Sequence, residues 1–332
     1  MIPLPSWLAD QPRVELAHQP TPLEPLDRLS EELGGPRIWL NRDDCTGLAT
    51  GGNKTRKLEF LLAAALQEGA TDIVTFGAVQ SNHVRQTAAA CAKLGLQCHA
   101  FLSRRVPWDH PSYERGGNVL MDQMLGATLH IHDTEDTANA ARAGLDALRA
   151  ANKQVYVIPA GGSNAVGALG YAVCAVELIA QCAELQIQPD YVVHASASAG
   201  TQAGLVYGLA RDDSPMASYG VNVFHPQGTT LEQRVRTIVD DMHTAYGPTS
   251  APRFHFNHRY LGDGYGLPHP VAIDAMKLTA RLEGQVFDPV YSGKALGALV
   301  DLISVGELGN ADDIVFIHTG GQAALAAYDT AF

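Results

Sequence analysis

The sequence predicts an α/β fold of mostly parallel sheets covered by helices, and three observations predict it. From about residue 54 onward, short β-rich runs alternate with longer stretches of helical periodicity. Several of the short runs are apolar almost throughout, as strands buried on both faces must be. Glycine-rich turns join the two kinds of segment. With 332 residues, 46% of them hydrophobic, the chain can bury a large core, either as two domains or as one large unit.

In chain order, the first clear element is a helix over 54–68, entered from a glycine-rich loop. The run DIVTF reads as a strand over 72–76, and Ser81 is a natural N-cap for a helix over 81–94. Strands follow over 97–102 and 128–132, the latter with His130 and His132 on one face, then a helix over 134–151. A strand over 155–159, a helix over 164–182 and strands over 191–195 and 219–224 continue the alternation. His255 sits between Phe254 and Phe256 in a similar strand-like pattern; helices over 268–282 and 293–305 and a strand over 313–318 complete the series. At 77–81, 161–164 and 196–201 a strand runs through a small-residue turn into a helix, which sets a strand's carboxyl end beside a helix N-terminus and makes a ligand-binding edge. No Pro/Ser-rich linker marks a boundary, so two domains would be joined by more than one crossing of the chain.

Composition excludes several functions. The net charge is −12 and the Lys and Arg residues are scattered, so no basic stripe exists for a phosphate backbone, and nucleic acid is excluded as a partner. The first 18 residues lack a basic stretch followed by an apolar one, and no later run approaches about 18 uninterrupted apolar residues; no membrane association and a cytoplasmic location are expected. The five cysteines lack CxxC spacing and read as free thiols, and Asn53-Lys54-Thr55 is a chance sequon. Thirteen histidines form no HExxH or other ligand spacing, and no GxSxG elbow occurs, so neither a metal site nor a serine hydrolase is expected.

The sharpest local feature is the loop Thr46–Gly52 leading through Asn53 to Lys54 and Thr55. It is not a Walker A loop, because that motif needs Gly directly before Lys and here Asn53 intervenes. A lysine at a helix start faces the positive end of the dipole, which disfavours a cation and, with burial, raises the fraction of free amine; a Schiff-base lysine needs that, although a solvated helix-start lysine fits the same position. Gln80-Ser81-Asn82-His83 opens the next helix with free backbone N–H groups and a hydroxyl, a natural carboxylate receptor. The small residues of Ser196–Gly204 permit close backbone approach to a phosphate, and fit a tight strand-to-helix turn equally well.

Taken together, these segments resemble the ACC deaminase/D-cysteine desulfhydrase family of pyridoxal-phosphate enzymes of fold type II. The resemblance rests on 42–60, on Gln80-Ser81-Asn82-His83, Gly161–Asn164, Ser198–Thr201, Asp288-Pro289-Val290-Tyr291 and His318–Gly321, and it covers the chain from roughly residue 20 onward. It implies a large cofactor domain, 1–50 with 166–332, and a small inserted domain, 51–165. It implies that Lys54 carries pyridoxal 5'-phosphate, that Asn82 hydrogen-bonds its phenolic oxygen, and that Ser198, Ala199, Gly200 and Thr201 hold its phosphate. Thr319 would face the pyridine nitrogen. Ser81, with Gln80 and His83, would hold the substrate carboxylate, Tyr265 and Tyr291 would line the substrate side, and Lys54, Ser81, Tyr265 and Tyr291 form the expected catalytic set. The cofactor is the electron sink; the protein orients groups and transfers protons. A homodimer acting on a small amino acid is expected.

Departures from the family pattern guide the choice of reaction. Ser292 stands where ACC deaminases carry Glu, and a neutral partner at the pyridine nitrogen favours simple β-elimination over ring opening. Ala197 replaces a usual Gly in the phosphate turn. Residues 77–86 look like D-cysteine desulfhydrase, whereas 43–52, 288–293 and 328–332 look equally like L-cysteate sulfo-lyase. Elimination of sulfide from D-cysteine is the leading expectation and sulfite from L-cysteate the alternative, with ACC deamination, β-replacement and non-catalytic cofactor carriage behind them. A sulfonate needs a cation where its charge sits; Arg104 and Arg105 follow a strand and are the nearest candidates, with Arg115 and His225 further off.

Overall fold

The computed structural model describes residues 2–332. After a short helix α1 (Ser6–Ala9), the chain forms β1 (Leu23–Pro25), α2 (Asp27–Leu33) and β2 (Arg37–Asn41). It then lays down α3 (Lys54–Gln67), β3 (Asp72–Ala78), α4 (Asn82–Leu94), β4 (Gln97–Ser103), α5 (Gly117–Met124), β5 (Thr128–His132), α6 (Thr134–Ala150) and β6 (Val155–Ile158). The remainder is α7 (Ala165–Leu185), β7 (Tyr191–Ser196), α8 (Gly200–Arg211), β8 (Ala217–Asn222), α9 (Gly228–Tyr246), β9 (Phe254–Asn257), α10 (Pro270–Glu283), α11 (Ser292–Ser304), β10 (Asp313–Ile317) and a closing 3-10 segment, Gln322–Ala331.

The strands form two sheets. The smaller one, ordered β5-β4-β3-β6, is parallel throughout and draws on residues 72–158 alone. The larger one, ordered β1-β2-β10-β7-β8-β9, is parallel except where β1 pairs antiparallel with β2. All five residues of the central strand β10 are buried, which is why DIVFI reads as one apolar run.

The alternation begins earlier than expected: β1 and β2 precede residue 54, and β2 pairs with the C-terminal strand β10, a partner about 276 residues away that no local pattern could reveal. Helices α2, α5 and α9 were also not anticipated, whereas the helix expected after the 196–201 turn is α8. The strand expected over 219–224 ends at Asn222, whose side-chain Oδ1 accepts from the backbone N–H of Phe224 (3.1 Å) and His225 (2.9 Å) and turns the chain out of the sheet.

Helix α7 is long and apolar enough, by length and composition, to cross a membrane, although 72% of its most apolar window is buried within this fold. It packs against α3 and α8, and its Glu177 pairs with Arg56 of α3 at 2.8 Å. That arginine is wholly buried; it also binds Asp43, which accepts in addition from Thr21 and Tyr171. The network anchors the loop before α3 to the core at the position where the sequence begins its approach to Lys54.

Candidate active site

Residues 46–53 deliver Lys54 through a tightly held loop. Ala49 and Thr50 both have positive φ (43° and 67°), as do the flanking glycines, and a Cβ on Gly51 would lie 1.9 Å from the Asp44 carbonyl, so only glycine fits there. Thr46 Oγ1 accepts from the Gly52 N–H at 2.8 Å, and the buried Arg85 of α4 donates to Gly51 O (3.1 Å), to Thr50 Oγ1 (3.0 Å) and to Ala49 O. Gln86 Oε1 caps the first turn of α3 by accepting from the Thr55 N–H.

Lys54 therefore enters the cleft from a fixed helix end, with Nζ 2.9 Å from Asn53 Oδ1. The side chain lines the cleft. Loss of hydration pushes the amine down to about 8, partly opposed by Asp288 and reinforced by Arg85. Asn53, to which the sequence assigned no role in the site, ties this helix start to α8 and to the segment after β10: its Nδ2 donates to Thr201 Oγ1 (3.1 Å) and its N–H to Thr319 O (3.1 Å).

Across the cleft, β7 runs through Ser196–Ala199 into α8. The left-handed conformation of this turn falls on Ala199 (φ 78°), not on Ala197, so the alanine at 197 costs the turn no backbone strain. Ser198 Oγ, Ser163 Oγ and the Gly200 N–H form a small polar cup, with Ser163 within 2.8 Å of Ser198 and 3.2 Å of Gly200 N. A Cβ on Gly200 would sit 2.7 Å from Ser163 Oγ and 3.0 Å from Lys57 Nζ, so a side chain there would displace the members of the cup. Lys57 lies beneath this cup, bonded to Gly161 O at 3.1 Å. Burial and the nearby Lys54 hold it well below the ordinary lysine range, and a dianion on the cup would restore its charge. Lys57 and Ser163 are functional candidates to which the sequence assigned no role, although Ser163 lies in the 161–164 turn marked there as a ligand-binding edge; the signal for Lys57 was its i, i+3 spacing from Lys54 on α3.

The third wall is the turn from β3 into α4. Ser81 caps α4, accepting from the Val84 N–H at 3.3 Å, and its hydroxyl proton is left to face the cleft it lines beside Asn82. His83 also lines the cleft. Thr75 Oγ1 donates to Ile158 O (3.0 Å) and so accepts from His83 Nε2–H (2.8 Å), leaving Nδ1 as a buried acceptor without a partner. Burial, with Lys54 and Lys57, keeps the ring neutral, so His83 offers a carboxylate no positive charge. Gln80 corrects the sequence expectation: its amide points away from the cleft, donating to Tyr113 O (2.6 Å) and Gly116 O (3.0 Å) and accepting from the Asn118 N–H (2.9 Å). What this turn presents to the cleft is the Ser81 hydroxyl with the first backbone N–H groups of α4, donors of the kind a carboxylate needs.

Tyr265 and Tyr291 line a further side of the cleft with their hydroxyls hydrogen-bonded to each other, and burial raises both above the ordinary phenol range. Asp288 explains its motif: its carboxylate accepts from the N–H groups of Val290, Tyr291 and Ser292, and from Ser292 Oγ, which starts α11 and fixes Tyr291. Ser292 is thereby consumed and lies outside the cleft, whereas Thr319 lines it. At the mouth stand Arg105, His225 and Arg234, the last from the unanticipated α9. Arg104 instead pairs with Glu114 (2.6 Å) and Asp133 (3.6 Å), and neither it nor Arg115 lines the cleft.

The cleft holds about 320 Å³. A depressed amine, an N–H-and-hydroxyl cup over a buried lysine, and an unpartnered ring nitrogen are what an aldehyde cofactor with a phosphate would need. A family model described as pyridoxal-phosphate dependent enzyme matches residues 14–320. The chain belongs to the pyridoxal-phosphate-dependent enzyme family. Among its relatives in this family, D-cysteine desulfhydrases of Salmonella choleraesuis (strain SC-B67) and Salmonella typhi are 44% and 43% identical over 320 residues, 96% of this chain and 96% of theirs. A solved ACC deaminase homologue superposes with a TM-score of 0.87 at 34% identity, covering 98% of this chain and 97% of its own. A hydrogen sulfide-producing enzyme from Fusobacterium nucleatum shares the fold, with a TM-score of 0.64 at 15% identity over 97% of this chain and all of its own.

Proposed function

We propose that this chain is a D-cysteine desulfhydrase, a pyridoxal-phosphate-dependent carbon–sulfur lyase that gives pyruvate, ammonia and sulfide. One observation carries the reading: a single cleft joins the depressed Lys54 amine, the carboxylate-receiving turn at Ser81 and the cup at 198–201. The choice of D-cysteine follows the named activity of relatives 44% identical across nearly the whole chain.

When bound, the cofactor supplies the electron sink that stabilises charge at the substrate's α-carbon. Thr319, a neutral hydroxyl lining the cleft, would face its pyridine nitrogen, and Asn82 would donate to its phenolic oxygen. Ser81 and the N-terminal amides of α4 fix the substrate carboxylate. Lys54 Nζ, as free amine, takes the α-proton. As the Cβ–S bond breaks, the sulfur leaves with the bonding pair, and the Tyr265–Tyr291 pair, kept protonated by burial, supplies its proton. Residues 1–50 with 166–332 act as the cofactor domain and 51–165 as the smaller one; the enzyme works in the cytoplasm as a homodimer.

A second reading has a specific observation behind it. Arg105 and Arg234 both line the mouth, and among the described residues neither forms an ion pair, so an anionic β-substituent such as the sulfonate of L-cysteate has cations available. The test compares kcat/KM for sulfide from D-cysteine with that for sulfite from L-cysteate. D-cysteine should be the better substrate, and Arg105→Ala/Arg234→Ala should barely affect it; faster sulfite release, abolished by that double variant, would reverse the assignment.

A further inference from the structure

The amide of Asn82 faces the cleft, and an amide can present either its N–H group or its carbonyl oxygen. The structure removes that freedom through a chain of bonds whose direction starts outside the site. Arg85, wholly buried on α4, can only donate, and the carbonyl oxygens of Ala49 and Gly51 hold its Nη atoms. Its Nε donates to Asn118 Oδ1 at 2.8 Å. With its oxygen so committed, Asn118 must turn Nδ2 toward α4, where it donates to Asn82 Oδ1 (2.9 Å) and Gln80 O (3.2 Å). Asn82 is left with only its Nδ2 to offer the cleft.

Asn118 is itself held at the start of α5. It is fully buried, and its backbone N–H donates to Gln80 Oε1, whose own amide grips the Tyr113 and Gly116 carbonyls. Its four polar bonds give it no alternative orientation of comparable satisfaction. The same arginine that holds the loop before Lys54 thus also sets the polarity of Asn82.

We infer that Asn118 is a positioning residue that, oriented by Arg85, makes Asn82 a hydrogen-bond donor to the phenolic oxygen of the cofactor. This rests on the proposed role of Asn82. Asn118→Asp is the discriminating substitution, because it preserves shape, strengthens the bond to Arg85, and replaces the donor facing Asn82 with an acceptor. Asn82 must then flip and present its carbonyl oxygen to the cofactor.

The holoenzyme is assayed in three forms: wild type, Asn82→Ala and Asn118→Asp. The readouts are the pH midpoint of the near-visible absorbance of the bound cofactor and the cofactor dissociation constant by equilibrium dialysis, with far-UV circular dichroism reporting the fold. A donor to the phenolic oxygen stabilises its anionic form, so losing it raises the midpoint. Asn82→Ala and Asn118→Asp should both shift the midpoint upward, and Asn118→Asp should weaken cofactor binding by about ten-fold or more. Asn118→Ser, which removes the donor without adding an acceptor, should give a smaller shift in the same direction and serves if the Asp variant does not fold. A midpoint and affinity unchanged in a folded Asn118 variant, while Asn82→Ala shifts both, would overturn the inference alone. Silence from Asn82→Ala as well would overturn it together with the role given to Asn82.

Discussion

Replacing Lys54 by Met should abolish cofactor attachment and at the same time stabilise the cofactor-free protein. In the fold the amine sits near 8 because burial disfavours its charge, against about 10.5 when hydrated. At pH 7 both folded and unfolded states hold the proton, so the wild type carries the whole penalty of a poorly solvated ammonium, roughly 3 kcal/mol. Between pH 8 and 10.5 the unfolded state binds more protons than the folded one, so wild-type stability rises with pH, and by pH 9.5 the penalty has fallen to roughly 1.5 kcal/mol. Asp288, the nearest carboxylate, is satisfied by the N–H groups of 290–292 and is not stranded by the loss of the lysine. Urea unfolding of both cofactor-free proteins at pH 7 and 9.5 reads the effect. The Met variant should be the more stable at pH 7, with the margin shrinking at pH 9.5. A variant less stable than wild type, or a margin that does not change with pH, would refute the account of how the amine is depressed. In the holoenzyme, borohydride reduction should leave the cofactor on Lys54 and on no other lysine.

Three further outcomes are expected. Arg56→Met should destabilise the fold by about 3–5 kcal/mol in urea, because Asp43 and Glu177 are left as buried uncompensated charges. Ser81→Ala should retain the bound cofactor's absorbance yet lose on the order of 1.5–3 kcal/mol in kcat/KM, the worth of one donor to a charged acceptor; unchanged efficiency would reduce Ser81 to a helix cap. Tyr291→Phe should lower kcat by about 100-fold with little change in KM if its hydroxyl supplies the leaving group's proton, and steady-state kinetics separate the two parameters.

Much of this architecture was legible locally because parallel strands buried on both faces announce themselves as apolar runs. The edges were less legible. Strand β2 gains its place only by pairing with β10 from the other end of the chain, and β8 ends where the Asn222 side chain captures two backbone N–H groups, a choice that composition does not dictate. Among site residues, Lys54, Asn82 and Ser81 stand at helix starts, positions that motif spacing reveals. Gln80 was misread because its neighbours in sequence face the cleft, while its own amide is claimed by the loop at 113–116, far away along the chain. Arg234 could not be found at all without α9, since only tertiary packing brings that helix to the mouth.

Helix α3 shows why burial alone does not decide the chemistry of a basic side chain. Lys54, Arg56 and Lys57 lie within four positions on one helix, and all three are largely removed from water. Helical phase sends Lys54 and Lys57 toward the cleft and its floor, and Arg56 toward α7. For Arg56, burial opposes the charge, yet Asp43 and Glu177 outweigh it and hold the guanidinium well above its ordinary value. Lys57 meets only carbonyl and hydroxyl oxygens and another amine, so nothing offsets its loss of hydration. Lys54 falls between them, depressed by burial and only partly supported by Asp288. The fold therefore keeps a permanent cation where it needs a structural anchor and a removable proton where it needs an amine that can react, and the difference is made by two carboxylates, not by depth.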